Sequence, residues 1–292
     1  MGGAVTVAMA AAGFTRRRRW RFVSRHFALV TGAALLTALV LLSLAAPLLA
    51  PFDPVALDVT HRLRPPGAPH WFGTDNFGRD VFSRTLYGGR ISLLVGLSTT
   101  VLSSLTGTAI GIAAGMFRWA DAALMRVMDG LMAIPAILLA VAMMTLVRPG
   151  VLIVIVAITV PEVPRVARLV RSVTLVIREQ TYVQAARAVG TRLPALLVRH
   201  ILPNAITPII VQATYVCASA VLIEAYLGFL GVGVPPEIPS WGNIISDGRT
   251  YVQIAIWIVL FPGAFLGTMV MAINMLGDGV RDFLDPRLAR RL

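Results

Sequence analysis

The chain contains no lysine: all 26 of its basic residues are arginine. A phosphate-binding loop of the GxxxxGK[ST] kind uses its lysine to reach nucleotide phosphates, so that motif is excluded. Schiff-base chemistry on a lysine is excluded with it. If the protein takes part in an ATP-driven process, another chain hydrolyses the ATP. Cysteine is almost absent. Cys217 is the single thiol, so no internal disulfide can form, and in its apolar surroundings it reads as a small core residue. No Cys/His cluster has zinc spacing. The four histidines, His26, His61, His70 and His200, stand outside the apolar runs, which argues against an intramembrane Ser–His hydrolase. Charge is scarce as well, at 14% of residues against about 25% in soluble domains.

What is present is apolar. Of the 292 residues 57% are hydrophobic, and the mean hydropathy is +0.79. The composition favours an all-α polytopic membrane protein over a soluble helical enzyme. The net charge of +12 does not point to nucleic acid, because the arginines flank apolar runs rather than forming one basic face.

A membrane span needs about 20 mainly apolar residues. Six runs qualify or nearly so. The first is 27–49; the arginine-rich stretch before it and its own length favour an uncleaved span over a secretory signal. A Pro/Gly/Asp-rich loop with little regular helix follows over 50–90. Further spans are expected at about 91–117, 121–147 (with Pro135 inside), 150–161, 205–230 and 252–276. The fourth should continue past Pro161 as an amphipathic helix in which Arg165, Arg168 and Arg171 recur at helical spacing, with a kink at Pro161 or Pro164. Gly107, Gly111 and Gly115, four residues apart, allow close helix packing in the second. A second loop, 231–251, precedes the sixth. Six spans place both termini on one side. That side, counted over the connecting segments, carries 19 arginines against 7 opposite, so it is expected to be cytoplasmic. The chain thus divides into a cytoplasmic tail (1–26), a first transmembrane helix (27–49), an extracytoplasmic loop (50–90), a core (91–280) and a cytoplasmic tail (281–292). No internal repeat is visible, which argues mildly against folds built from inverted repeats.

The segment Gln184–Pro203 interrupts this pattern. Gln184-Ala-Ala-Arg-Ala-Val189 is a short run of helix formers. Gly190 suits a left-handed cap, Pro194 suits the first turn of a second helix, and Pro203 is expected to end it. On physical grounds two readings stand level: a slim helix, Ala185, Ala186 and Ala188, that enters a cleft on a partner, or an interfacial amphipathic hairpin with no partner.

This segment resembles the coupling motif of ABC-importer permeases, Glu-Ala-Ala, three residues, Gly, nine residues, Ile-x-Leu-Pro. Gln184, Ala185, Ala186, Gly190, Leu202 and Pro203 fall at those spacings, with Gln184 in place of the acid and His200 in place of the isoleucine. Residues 70–93, 224–243 and 276–287 resemble the dipeptide/oligopeptide/nickel permease family, and its C-type subunit in particular. The resemblance implies a six-helix type I ABC-importer permease fold. It also implies a transport subunit that is not itself an enzyme, seated in a bacterial inner membrane. A second homologous permease, two cytoplasmic ATPases carrying ATP and magnesium, and an extracytoplasmic binding protein would complete the importer. No cofactor is expected in this chain. Di- or oligopeptides are the implied substrates, with nickel or another small solute as the alternative and a stand-alone secondary transporter behind it. The ATPase-coupling residues carried over are Gln184, Ala185, Ala186, Arg187, Gly190, Leu202 and Pro203.

Two acids in or near spans are candidates for the substrate pathway. A charge at mid-bilayer costs about 2.5–3.5 kcal/mol on insertion scales, so Asp129 and Glu224 are expected to face protein or water. The alternative for Asp129 is a structural pair with Arg126. Glu162, between two prolines, reads as structural. Trp71, Phe72, Phe77, Trp241 and Tyr251 are expected to form an interfacial belt. The first loop either docks a binding protein or shapes the outer gate, with a lid packed on the partner permease as the alternative.

Overall fold

A computed structural model describes residues 26–147 and 150–284. The tail 1–15, the arginines at 16–25, Arg148 and residues 285–292 lie outside the described residues, and so do the expectations attached to them. Among the described residues the fold is all-helical; the single isolated bridge joins Thr74 to Asp80. The principal helices are α1 (Phe27–Leu44), α2 (Val81–Met116), α3 (Arg118–Met132), α4 (Ala136–Leu146), α5 (Val151–Arg178), α6 (Thr181–Ala188), α7 (Leu202–Phe229), α8 (Trp241–Gly248) and α9 (Trp257–Leu284). Helix α2 is the hub. It packs along α5 and α7, while α9 packs on α1 and α7.

The α2–α5 contact is close because three glycines leave no α2 side chain at the points where α5 approaches. A methyl group on Gly107 would stand 2.6 Å from the Cβ of Val166, one on Gly111 2.6 Å from the Ala167 carbonyl, and one on Gly115 2.6 Å from the Cβ of Thr174. The small-residue spacing expected to allow close packing does so, and α5 is the helix it meets.

Four helical stretches are long and apolar enough to cross a membrane: α1, α2, residues 193–229 and α9. The expected third span is not one straight helix. It is broken into α3 and α4, bent by 87°, and this pair is a fifth candidate. Pro135, at the N-cap of α4, cannot donate to the preceding turn and disfavours helix in the residue before it. Helix α5 falls outside that count because Glu162, Arg165 and Arg168 interrupt its apolar run. Both Pro161 and Pro164 lie inside α5 as one continuous helix.

Three further expectations need correcting. The first loop ends at Asp80, not Arg90: Asp80 caps α2 by accepting from the Ser83 N–H at 2.8 Å. Gly88 and Gly89, which read as loop residues, stand in the helix because Trp241 packs directly over both. The second loop holds a helix, α8. The aromatic belt is only partly one: Trp71 and Phe77 are exposed, but Trp241 is fully buried and donates its indole N–H to the Thr85 carbonyl at 2.9 Å. Phe72 stacks on Phe261 with ring centroids 3.9 Å apart.

An ion cluster fastens the two loops together. Buried Asp75 accepts from Arg79 Nε at 2.6 Å and Arg84 Nη1 at 3.2 Å, and Asp247 of α8 accepts from the same arginines at 2.7 and 3.3 Å. Each buried guanidinium thereby keeps an acid beside it, which is the condition for tolerating it. At the exposed edge of the loop, hydrogen bonds from Thr60 and His61 lower the Asp58 carboxyl to about 2.

The glycine seam makes a measurable prediction. Gly111→Leu should destabilise the fold by about 1–3 kcal/mol through overpacking, seen as a lower unfolding midpoint of the detergent-solubilised protein. Gly130→Ala, at a position with nothing within 4 Å of the added Cβ, should not lower it. Equal midpoints for Gly111→Leu and the unaltered chain would remove the seam from the account.

Candidate functional site

The segment 181–203 folds as two helical pieces about a left-handed glycine. Helix α6 ends in a Schellman motif: the Gly190 N–H reaches the Arg187 carbonyl at 2.9 Å and the Thr191 N–H reaches the Ala186 carbonyl at 3.0 Å. Gly190 has φ +83° with open space around it. Its backbone conformation, and not a steric wall, is what calls for glycine.

The second piece does not stop at Pro203. Leu193–Leu196 runs into a π-turn, Leu197–Ile201, and then directly into α7. The Leu202 N–H bonds back five residues to the Leu197 carbonyl. The wider turn eases the clash between the Pro203 ring and the carbonyl four residues before it, so the chain continues where a terminator was expected. Leu202 and Pro203 therefore open a long helix, both of them exposed.

One residue seats α6. Val183 is fully buried in a cluster with Ile177, Leu196, Ile201 and Ala205, against which Met116 and Ala186 pack. Around it Tyr182, Gln184, Ala185, Arg187, Ala188 and Val189 are exposed, Val189 at 87%. The two carried-over alanines thus separate: Ala185 faces outward and Ala186 faces the seat. Gln184 donates to the Glu179 carbonyl at 3.2 Å. An ionised acid cannot make that bond, so the amide here closes the first turn of α6 locally. Arg187 lies over the Met116 sulfur at 3.9 Å, and His200 lies 6.1 Å from the Tyr182 ring.

Sequence reasoning missed the tie behind this seat. Arg178, at the end of α5, donates to the Gly115 carbonyl at the end of α2 at 2.6 Å. It also missed Val183 as the anchor. The apolar residues that meet here come from both sides of a glycine break, so no single helical period marks them.

The candidate pathway acids are placed differently. Glu224 is fully buried between α7 and α2; Ser92 Oγ donates to its Oε2 at 2.8 Å, and its Oε1 has no hydrogen-bond partner among the described residues. It offers no surface to a passage in this conformation. Asp129 is exposed and bonded to Arg168 of α5 at 2.6 Å, not to Arg126. Nearby, Asp121 takes a two-pronged bond from Arg171 at 2.5 and 2.7 Å. The acids lie eight residues apart on α3, about 12 Å, while their arginines are three apart on α5, about 4.5 Å. Helix α3 therefore crosses α5 obliquely. Glu162, read as structural, is buried and bridges helices: it accepts from Arg165 at 3.0 Å and from Ser219 of α7 at 2.9 Å.

Comparison with known proteins places the fold and the family. A solved structure of the methionine ABC transporter MetNI in an inward-facing conformation superposes with a TM-score of 0.52 at 24% identity, covering 66% of this chain and 94% of that one. An amino acid ABC transporter crystallised with histidines gives 0.55 at 13% identity, covering 69% and 94%. At these identities the likeness concerns the fold alone. In sequence, a probable peptide ABC transporter permease protein of Sinorhizobium fredii is 53% identical, with 93% of both chains covered. The dipeptide transport system permease protein DppC of Alkalihalophilus pseudofirmus is 40% identical over 93% of this chain and 90% of its own. The probable D,D-dipeptide transport system permease protein DdpC of Escherichia coli is 40% identical over 88% and 87%. Residues 13–66 match the N-terminal transmembrane domain of oligopeptide transport permease C. Residues 107–290 match the family's own model, and this chain belongs to the binding-protein-dependent transport system inner membrane component family.

Proposed function

We propose that the chain is one of two permease subunits of an ABC importer for di- or oligopeptides, in a bacterial inner membrane. The observation that carries the transport reading is α6, an exposed helix held at one buried valine and stopped by a left-handed glycine. The peptide substrate is supported by the names of the relatives. In this reading six crossings are made by α1, α2, the broken α3–α4 pair, α5, α7 and α9. Both termini and α6 then lie in the cytoplasm, with the 51–80 and 231–251 segments outside. ATP and magnesium belong to two partner ATPases, and a binding protein delivers the peptide.

The geometry supports a route by which force would enter the spans. An ATPase pair that closes on ATP moves whatever sits in its clefts. Gln184, Ala185, Arg187, Ala188 and Val189 offer the docking face; Ala186 packs against the seat, and the exposed Leu202 and Pro203 open α7. Val183 and the Arg178–Gly115 bond connect that face to the ends of α5 and α2. Displacement of α6 is thus passed to two packed helices rather than absorbed by a loop. Nucleotide drives the change only through the difference in contact free energy between the two arrangements.

Two predictions separate docking from seating. Val189→Asp should leave folding unchanged, since the side chain touches solvent, yet abolish co-purification of the ATPases and peptide-stimulated ATP hydrolysis. Gly190→Ala forces a Cβ into the left-handed region at about 1–2 kcal/mol, and should reduce coupled uptake while leaving the affinity for the binding protein unaltered. Wild-type ATP hydrolysis and uptake in both variants would end the docking reading. Sidedness is checked independently. In a chain lacking Cys217, Val189→Cys should react with an impermeant thiol reagent only from the cytoplasmic side and Thr60→Cys only from outside; the reverse pattern would invert the topology.

A further inference from the structure

Arg165 stands where a membrane helix does not leave a charge without a use. It lies fourteen residues into α5 from Val151, about 21 Å along the axis, so in a crossing that begins at Val151 it falls short of the far side of a hydrocarbon layer about 30 Å thick. Its side chain is nonetheless 47% exposed. The face of α5 that meets α2, marked by Val166, Ala167, Val170 and Thr174, is on the opposite side of the helix.

Its neighbours define what it looks onto. Residues three before and three after it project about 60° to either side. On one flank Glu162 holds Ser219 of α7; on the other Arg168 holds Asp129 of α3. Arg165 therefore projects between the flank of α5 that meets α7 and the flank that meets α3. Exposed Ser172 follows one heptad further on, with Leu169 and Val176 beside it. Lipid against this face would meet the Arg165 charge and the Arg168–Asp129 pair at a cost of several kcal/mol.

The guanidinium is also held in place. Glu162, itself 0% exposed, accepts from Arg165 Nη1 at 3.0 and 3.3 Å, and the Ser219 hydroxyl secures the same carboxylate at 2.9 Å. This uses one corner of the arginine fork. Nε and Nη2 have no hydrogen-bond partner among the described residues, and they present the planar pair of donors that matches a carboxylate.

We propose that Arg165 lines the substrate passage and receives the free α-carboxylate of the peptide, with Glu162 and Ser219 as positioning residues. The inference rests on the peptide-importer reading. It moves substrate contact away from Glu224, which is buried, and from Asp129, whose charge Arg168 neutralises.

The test uses the complete importer reconstituted in proteoliposomes with its partner permease, ATPases and binding protein. In a chain lacking Cys217, Arg165→Cys should react with a charged thiol reagent. With Arg165 intact, reaction at Leu169→Cys should be slowed by dialanine and not by its C-terminal amide, and Arg165→Gln should remove the slowing. Arg165→Gln should also lower dialanine uptake about tenfold or more, the loss of a hydrogen bond to a charged group, while ATP hydrolysis stimulated by the binding protein persists. Arg165→Lys should retain a larger share of uptake. An unreactive Arg165→Cys would mean lipid or a partner helix covers the site and would overturn the proposal. So would equal protection by dialanine and its amide, or unchanged uptake in both variants. Absence of ATP-dependent dialanine uptake by the unaltered complex would instead defeat the peptide-importer reading itself.

Discussion

The structure depends on the close approach of α5 to the glycine backbone of α2. Three glycines, one turn apart, bring the two helices closer than any side chain would permit. In lipid there is no hydrophobic gain from helix association, so packing of this closeness supplies the attraction. Everything functional is referenced to that seam. Its Gly115 end brings that glycine's carbonyl within reach of Arg178, and these two helix ends, with Met116 and Ile177, form the floor on which Val183 sits. Its other consequence is rotational: with one face of α5 committed to α2, the arginines at 165 and 168 are turned away from it.

The two ends of the molecule are built on different physics. At the loop end, the segments are fastened by charge, with two arginines shared between Asp75 and Asp247 and an indole hydrogen bond beneath them. Such a cap is rigid, because breaking one pair leaves a buried charge alone. At the other end, α6 is fastened by one apolar side chain and a glycine cap, with most of its surface free. A rigid cap at one end and a singly anchored helix at the other fit the proposed entry of force at α6.

Much of this was legible in the chain itself. The glycine spacing, the helix–glycine–helix break at Gly190 and the apolar spans are local patterns, and local patterns survive folding. The misreadings were those in which a distant residue overrode a local signal. Gly88 and Gly89 look like loop residues until Trp241, some 150 positions later, packs over them. Pro203 looks like a terminator until a π-turn widens the helix around it. Pro135 looks tolerable inside a span, but the chain turns there by 87°.

The sequence by itself determined the class of the molecule. The amount of apolar surface, the missing lysine and the spacing of Gln184, Gly190 and Pro203 depend on composition and short spacing, which no tertiary contact can alter. Only the tertiary structure decided which charged residues are available. Asp129, Glu162, Arg165 and Glu224 are all ionisable groups in or beside apolar helices. Two are buried against hydroxyls, one is neutralised by an arginine 39 residues away in the chain, and one is left with half of its fork free. That division follows from how the helices are rotated against one another, and the rotation is set by glycines on a different helix from the charges it sorts.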